Sequence, residues 1–221
     1  MSPTDPATSA AARTTEVARA VARRSLERRE LVAVDEVERL LQAGRDVLGN
    51  TSSARVSDIV RVAGLSNNAF YRHFGSKDEL VDAIIQDGTR RLASYATHQM
   101  SKHRSPEAQV RRWINCLMDQ ARDPDVARQT RALLAAGRRS AGATEPRERG
   151  GVDLLAVPLH GPLRELGSID PDRHAVYLAD LTLGVLNRAL ARDVAPSRAD
   201  VEALTRFCLA GITGTVGRSD R

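Results

Sequence analysis

Between Gly64 and Leu80 the chain reads GLSNNAFYRHFGSKDEL, and these seventeen residues hold the densest chemistry in the sequence. Asn67 and Asn68 bring amides, Tyr71 a phenol, and Arg72, His73 and Lys77 three further nitrogen donors. No nucleophile, metal-ligand pair or glycine-rich phosphate cradle accompanies them. The whole chain contains no HExxH, no CxxC and no Gly-x-Ser-x-Gly elbow. His98 and His103, five residues apart, do not share a helical face. The expectation is therefore no catalytic residue, no metal and no cofactor. Donors without a nucleophile suit gripping a polyanion.

The elements that must position these donors are short. A helix through Val56, Ile59, Val60 and Ala63 ends at Gly64, because glycine adopts the left-handed conformation past a helix end at little cost. Leu65 then drops into the core. Ser66 is a natural N-cap for the next helix, whose inward side is Phe70 and Phe74 while Asn67, Asn68, Tyr71 and Arg72 point outward. Helix, glycine turn, helix is the helix-turn-helix arrangement. Ser76-Lys77-Asp78-Glu79 reads as a capping box that opens a long helix through Leu80, Ile84, Ile85, Leu92 and Tyr95, to about Arg104. Upstream, Val37, Leu40, Leu41, Gly44, Val47 and Leu48 form a helical stripe that stops at Gly49 to Ser53.

Downstream, Ser105-Pro106-Glu107 and Asp123-Pro124 open two further helices. A charged loop spans Ser140 to Gly151. Leu154 to Leu166 is a helix disturbed by Pro158 and Pro162, Pro171 starts a long helix to about residue 193, and Ser197 caps a last one to about 214. No credible strand and no repeat is visible. The fold class is all-α.

With 33 Lys+Arg against 28 Asp+Glu, the 221-residue chain carries a net charge of +5, a moderate excess that favours a polyanionic partner. Six arginines against Glu16 and Glu27 lie between Arg13 and Arg29. Residues 1 to about 15 read as disordered, and 1–33 as a flexible basic arm that lies along phosphates or a minor groove, or else as a solvated, partly helical tail. Cys116 and Cys208 read as reduced core residues. Met1-Ser2-Pro3-Thr4-Asp5 is not a basic start followed by an apolar run, so no secretory leader is expected, and no apolar run reaches the ~18 residues of a membrane span. A cytoplasmic protein with no membrane partner is expected.

The stretch IVRVAGLSNNAFYRHFGSKDELVDAI, residues 59–84, resembles the DNA-binding signature of the tetracycline-repressor (TetR) family of bacterial transcription regulators. The resemblance covers about Val34 to Ile85. It implies a helix-turn-helix DNA-binding domain at 34–80 and an effector-binding and dimerisation domain at 81–221. By resemblance, Asn67 and Asn68 stand where base contacts are made, and asparagine can pair bidentately with adenine. Tyr71 stands at a phosphate or base position, and His73 and Lys77 at phosphate positions. Arg72 is either a phosphate partner or a solvated charge. Asn68-Ala69 replaces the family's usual Gly-Thr, and Arg55 its capping Thr, so Ser57 becomes a candidate cap or phosphate donor. The implied DNA-contacting set is Ser57, Ser66, Asn67, Asn68, Tyr71, Arg72, His73 and Lys77.

Such a regulator meets a palindromic duplex operator as a homodimer, with recognition helices one turn of DNA apart. The resemblance places the dimer interface on the last two helices, at Tyr177, Leu178, Leu181, Val185, Leu204, Phe207 and Cys208; burial within one protomer is the competing account. Trp113, Cys116, Leu117, Met118, Leu133, Leu155 and Leu159 are candidate lining for a small-molecule effector pocket. The expected function is a ligand-responsive regulator, a repressor that releases its operator on binding effector. A sequence-blind architectural DNA binder and a helical enzyme are the alternatives.

Overall fold

A computed structural model describes residues 6–51, 54–140 and 148–213 of the chain. They form an all-helical body with no strand among the described residues. The first helix, α1 (Pro6–Asn50), is longer than the sequence suggested. Residues to about 15 were expected to be disordered and 1–33 to be a flexible arm, yet helix runs unbroken from Pro6. Between Pro6 and Gly44 the chain contains no glycine or proline and is rich in Ala, Arg, Glu and Leu, the best helix formers. The first five residues of the arm lie outside the described ones. Residues 19–35 are almost entirely exposed, and α1 begins to be covered at Glu36 and Val37.

After α1 come α2 (Val56–Ala63), α3 (Asn67–His73) and α4 (Lys77–Met100). Their inward residues make a compact first core: Leu40 and Leu48 from α1, Ile59 and Val60 from α2, Phe70 and Phe74, and Leu80, Val81 and Ile84 from α4. The boundary drawn at residue 80 therefore cuts through a helix whose next turn still belongs to this core. Gly44 lets α1 and α4 approach closely, since a Cβ there would stand 2.6 Å from Ile84 Cδ1.

The second core lies among the upper half of α4, α5 (Pro106–Arg122), α6 (Pro124–Ser140), α7 (Glu148–Ala156), α8 (His160–Glu165), α9 (Pro171–Arg192) and α10 (Arg198–Thr213). Residues 141–147 of the expected loop lie outside the described ones. The helix starts are capped as their sequences suggest: Ser105 Oγ accepts from Ala108 N at 3.2 Å, Asp123 Oδ1 from Val126 N at 3.1 Å and Asp170 Oδ1 from Arg173 N at 3.1 Å. Pro158 sits in a 3-10 turn, Val157–Leu159, that separates α7 from α8. No described helix is long and apolar enough to cross a membrane.

Candidate nucleic-acid interface

Two short helices and one sharp turn set the reading surface. Gly64 closes α2 at φ 65° and ψ 35°, in the left-handed region, and Leu65 N donates to Val60 O at 2.9 Å. The last carbonyls of α2 are covered from α1: Arg39 donates from Nη2 to Ala63 O at 2.6 Å and to Gly64 O at 3.0 Å. That clamp was missed in the sequence, where Arg39 is one more arginine on a basic helix; only the crossing of α1 over the turn gives it a role. Ser66 Oγ then caps α3 by accepting from Ala69 N at 3.1 Å.

Asn67, Asn68 and Tyr71 are exposed on α3, while Ala69 and Phe70 are buried beneath them. The Tyr71 ring packs edge-on against Phe70, with centroids 5.2 Å apart and planes at 81°. This anchor leaves 59% of Tyr71 accessible with its position fixed from below. The face thus offers two amides and a phenol on a helix anchored from below by Phe70.

The cationic members are engaged elsewhere. Arg72 Nη2 donates to both carboxylate oxygens of Glu36 on α1, at 2.8 and 2.7 Å, and His73 Nε2 lies 2.6 Å from Glu36 Oε2. The bond from His73 first, and then that from Arg72, holds the Glu36 carboxyl below its ordinary value. Lys77 Nζ donates to Ala54 O at 3.1 Å, tying the start of α4 to the chain just ahead of α2.

Ser57 is exposed inside the first turn of α2 and is not its cap. Asp58 takes that role, its carboxylate accepting from Arg55 N at 3.0 Å. In the Ser76 box, Ser76 Oγ accepts from Glu79 N as expected, but Glu79 Oε2 reaches back one residue further, to Gly75 N at 2.7 Å.

The two candidate sets in the second half are divided by the fold. Trp113, Cys116, Leu117, Met118, Leu155 and Leu159 are all packed within the second core, and Trp113 Nε1 donates to Leu155 O at 3.1 Å. Leu133 packs against the first core instead, because the outer half of α6 leans on α1 and α4. The seven therefore do not surround one chamber. Burial lifts the thiol of Cys116 and carries that of Cys208 to about 11.

Of the expected dimer residues, Leu178, Leu204 and Cys208 are buried within the protomer. Tyr177, Leu181 and Phe207 are exposed, Phe207 at 70%. Leu181, Val185, Leu204 and Phe207 line a groove of about 660 Å³ between the end of α9 and α10. Thr182, on α9, has a fully buried hydroxyl with no partner among the described residues. No group of three or more His, Cys, Asp or Glu is placed to hold a metal among the described residues.

A left-handed glycine turn, a capped second helix with an exposed amide face and a separate helical body make this a helix-turn-helix domain joined to a helical body. Residues 40–84 match the family model described as bacterial regulatory proteins, tetR family. A transcriptional regulator from Rhodococcus sp. RHA1 shares the fold with a TM-score of 0.60, over 81% of this chain and 96% of its own, at 21% identity. A TetR transcriptional regulator from Rhodococcus sp. RHA1 gives 0.55 over 84% and 97% at 20% identity. The fatty acid degradation regulator FadR from Bacillus halodurans gives 0.53 over 84% and 97% at 18% identity. Among curated proteins none matches the chain. The match to the tetR-family model is thus confined to the N-terminal segment, and the chain as a whole shares the fold of these regulators.

Proposed function

We propose that the protein is a ligand-responsive DNA-binding regulator that acts as a homodimer on a palindromic operator and represses until a small molecule binds its C-terminal body. The observation that carries this reading is the exposed Asn67, Asn68 and Tyr71 face of α3, held by Gly64, the Ser66 cap and the buried Phe70. Amides at the start of a helix placed in a major groove meet base edges, and asparagine matches adenine with two bonds.

Pairing of two copies is supported by the apolar groove beside α10, where Leu181, Val185 and Phe207 offer surface that a second copy would cover. Coupling is supported by α4, which supplies Leu80, Val81 and Ile84 to the first core and Ala96 and Met100 to the second. An effector would act by preferring a packing of the second core that moves the recognition helices off their spacing.

The test is a mobility-shift comparison of the DNA upstream of the protein's own reading frame against random DNA at matched salt. A regulator retards the former well ahead of the latter, whereas an architectural binder treats both alike. Asn67→Ala should cost about 1–3 kcal/mol on the preferred site and alter base preference. Lys77→Ala should weaken every duplex alike. Parent-like binding by both variants would remove the α3 face as the contact surface.

A further inference from the structure

The recognition helix ends on an acid. Glu36 accepts from Arg72 at 2.8 and 2.7 Å and lies 2.6 Å from His73, with 14% of its side chain exposed. Its two partners differ in what they leave free. His73 is 12% exposed and committed to the contact, while Arg72 is 59% exposed and turns the rest of its guanidinium to solvent.

Attachment of α3 does not rest on this contact alone. Phe70 and Phe74, at 0% and 6% exposure, already hold the helix in the first core, and Phe74 N donates to Phe70 O at 2.9 Å. What the carboxylate changes is charge. It cancels one arginine on the surface that faces a duplex, and it places a negative group where a phosphate would otherwise be drawn.

Resting on the DNA-binding reading above, we propose that Glu36 is an internal counter-ion that withholds Arg72 from the phosphate backbone. On a non-matching duplex the amides of Asn67 and Asn68 find no partners, α3 does not seat, and Arg72 stays on Glu36. On a matching site α3 seats more deeply, and a phosphate oxygen within reach displaces the carboxylate from Arg72. Glu36 is thereby a specificity-determining residue that touches no base: it removes a sequence-blind contribution from the wrong sites and returns it at the right one.

The experiment compares the parent, Glu36→Gln, Arg72→Ala and the double variant. Each is titrated across a salt series against a random-sequence duplex and against a duplex the parent itself selects from a random pool. Glu36→Gln keeps the shape and removes the charge. On random DNA it should steepen the slope of log K against log salt by about 0.9, the value of one added phosphate contact, and tighten binding about tenfold at low salt. On the selected duplex the tightening should be smaller, so the ratio between the two falls. Adding Arg72→Ala should return the slope on random DNA to the parent's.

Arg72→Ala alone should leave random-duplex binding within about twofold and lower the slope on the selected duplex by about 0.9. An unchanged slope in Glu36→Gln, or a slope on random DNA that falls in Arg72→Ala alone, overturns the counter-ion role. The second criterion holds even where Glu36→Gln folds poorly. A parent that binds neither duplex removes this inference together with the DNA-binding reading, whereas a parent that binds with unaltered variant slopes removes this inference alone.

Discussion

The two halves of the molecule spend their residues differently. In the first core a handful of apolar side chains, Leu40, Leu48, Ile59, Phe70, Leu80 and Ile84, support a helix whose Asn67, Asn68, Tyr71 and Arg72 face outward, while His73 turns to Glu36. In the second, Trp113, Cys116, Leu117, Met118, Leu159 and Leu163 fill a closely packed interior, and two buried hydroxyls, Thr182 and Thr205, are its polar exceptions, of which only Thr205 has a partner, Val201 O, among the described residues. A reading surface needs a small number of donors in fixed positions, so its chemistry is exposed and local in sequence. A larger core is made from whatever side chains distant helices bring together, so its composition is dispersed along the sequence and hidden.

The sharpest way to break that contrast is to damage one core and watch the other. Trp113 is the sole tryptophan and is fully buried in the second core, so its emission reports that half. Phe70→Ala should destabilise the first core by about 3–5 kcal/mol. Thermal unfolding followed by far-ultraviolet circular dichroism should then show an early phase that Trp113 emission does not follow. Coincident transitions by both probes would mean that the cores melt as one unit.

A smaller effect of opposite sign is expected in the second core. Thr182→Val replaces a buried hydroxyl without a partner by a methyl group of similar size, and should stabilise by about 1 kcal/mol, raising Tm by about 2–4 °C. A fall in Tm would indicate that the hydroxyl holds a bond in solution, and would make Thr182 a candidate for the polar contact of an effector.

The least effect per residue is electrostatic. Among the described residues five carboxyls, Glu36, Asp58, Asp87, Asp200 and Glu202, lie below their ordinary values, Glu36 chiefly through His73, Asp87 through Arg91 and Asp58 through the Arg55 amide. Unfolding returns them to ordinary values, so the unfolded chain binds more protons in that range. Their contribution is complete above the ordinary carboxylate range and is lost as pH falls through the lowered values. Tm should hold steady from neutrality to about pH 5 and decline below it. Three of the five, Glu36, Asp58 and Asp87, belong to the first half, so its transition should be the more acid-sensitive.

Legibility in the sequence followed the same division. The glycine turn, the Ser66 cap and the amphipathic split of α3 were readable because each depends on neighbours within four residues. Arg39 and Glu36 were not readable, since each acts on a partner more than 20 residues away and looks like an ordinary charge on its own helix. Leu133 was assigned to the wrong core because periodicity gives the buried side of α6 without saying which neighbour covers it. The separation of Tyr177, Leu181 and Phe207 from Leu178, Leu204 and Cys208 was hidden for the same reason: an apolar helix surface is one pattern in sequence and two environments in space. The length of α1 was underestimated by treating a run of small and charged residues as unstructured, when its lack of glycine and proline favours helix.

The division of α4 carries an evolutionary consequence. Its residues to Ile84 pack in one core and its residues from Ala96 in the other, and the two buried sets have no member in common. Substitutions that reshape the interior around Trp113 leave every residue beneath the amide face untouched. The interior around Trp113 can therefore drift over generations independently of the support beneath the amide face, with α4 and α6, which give residues to both cores, under double constraint.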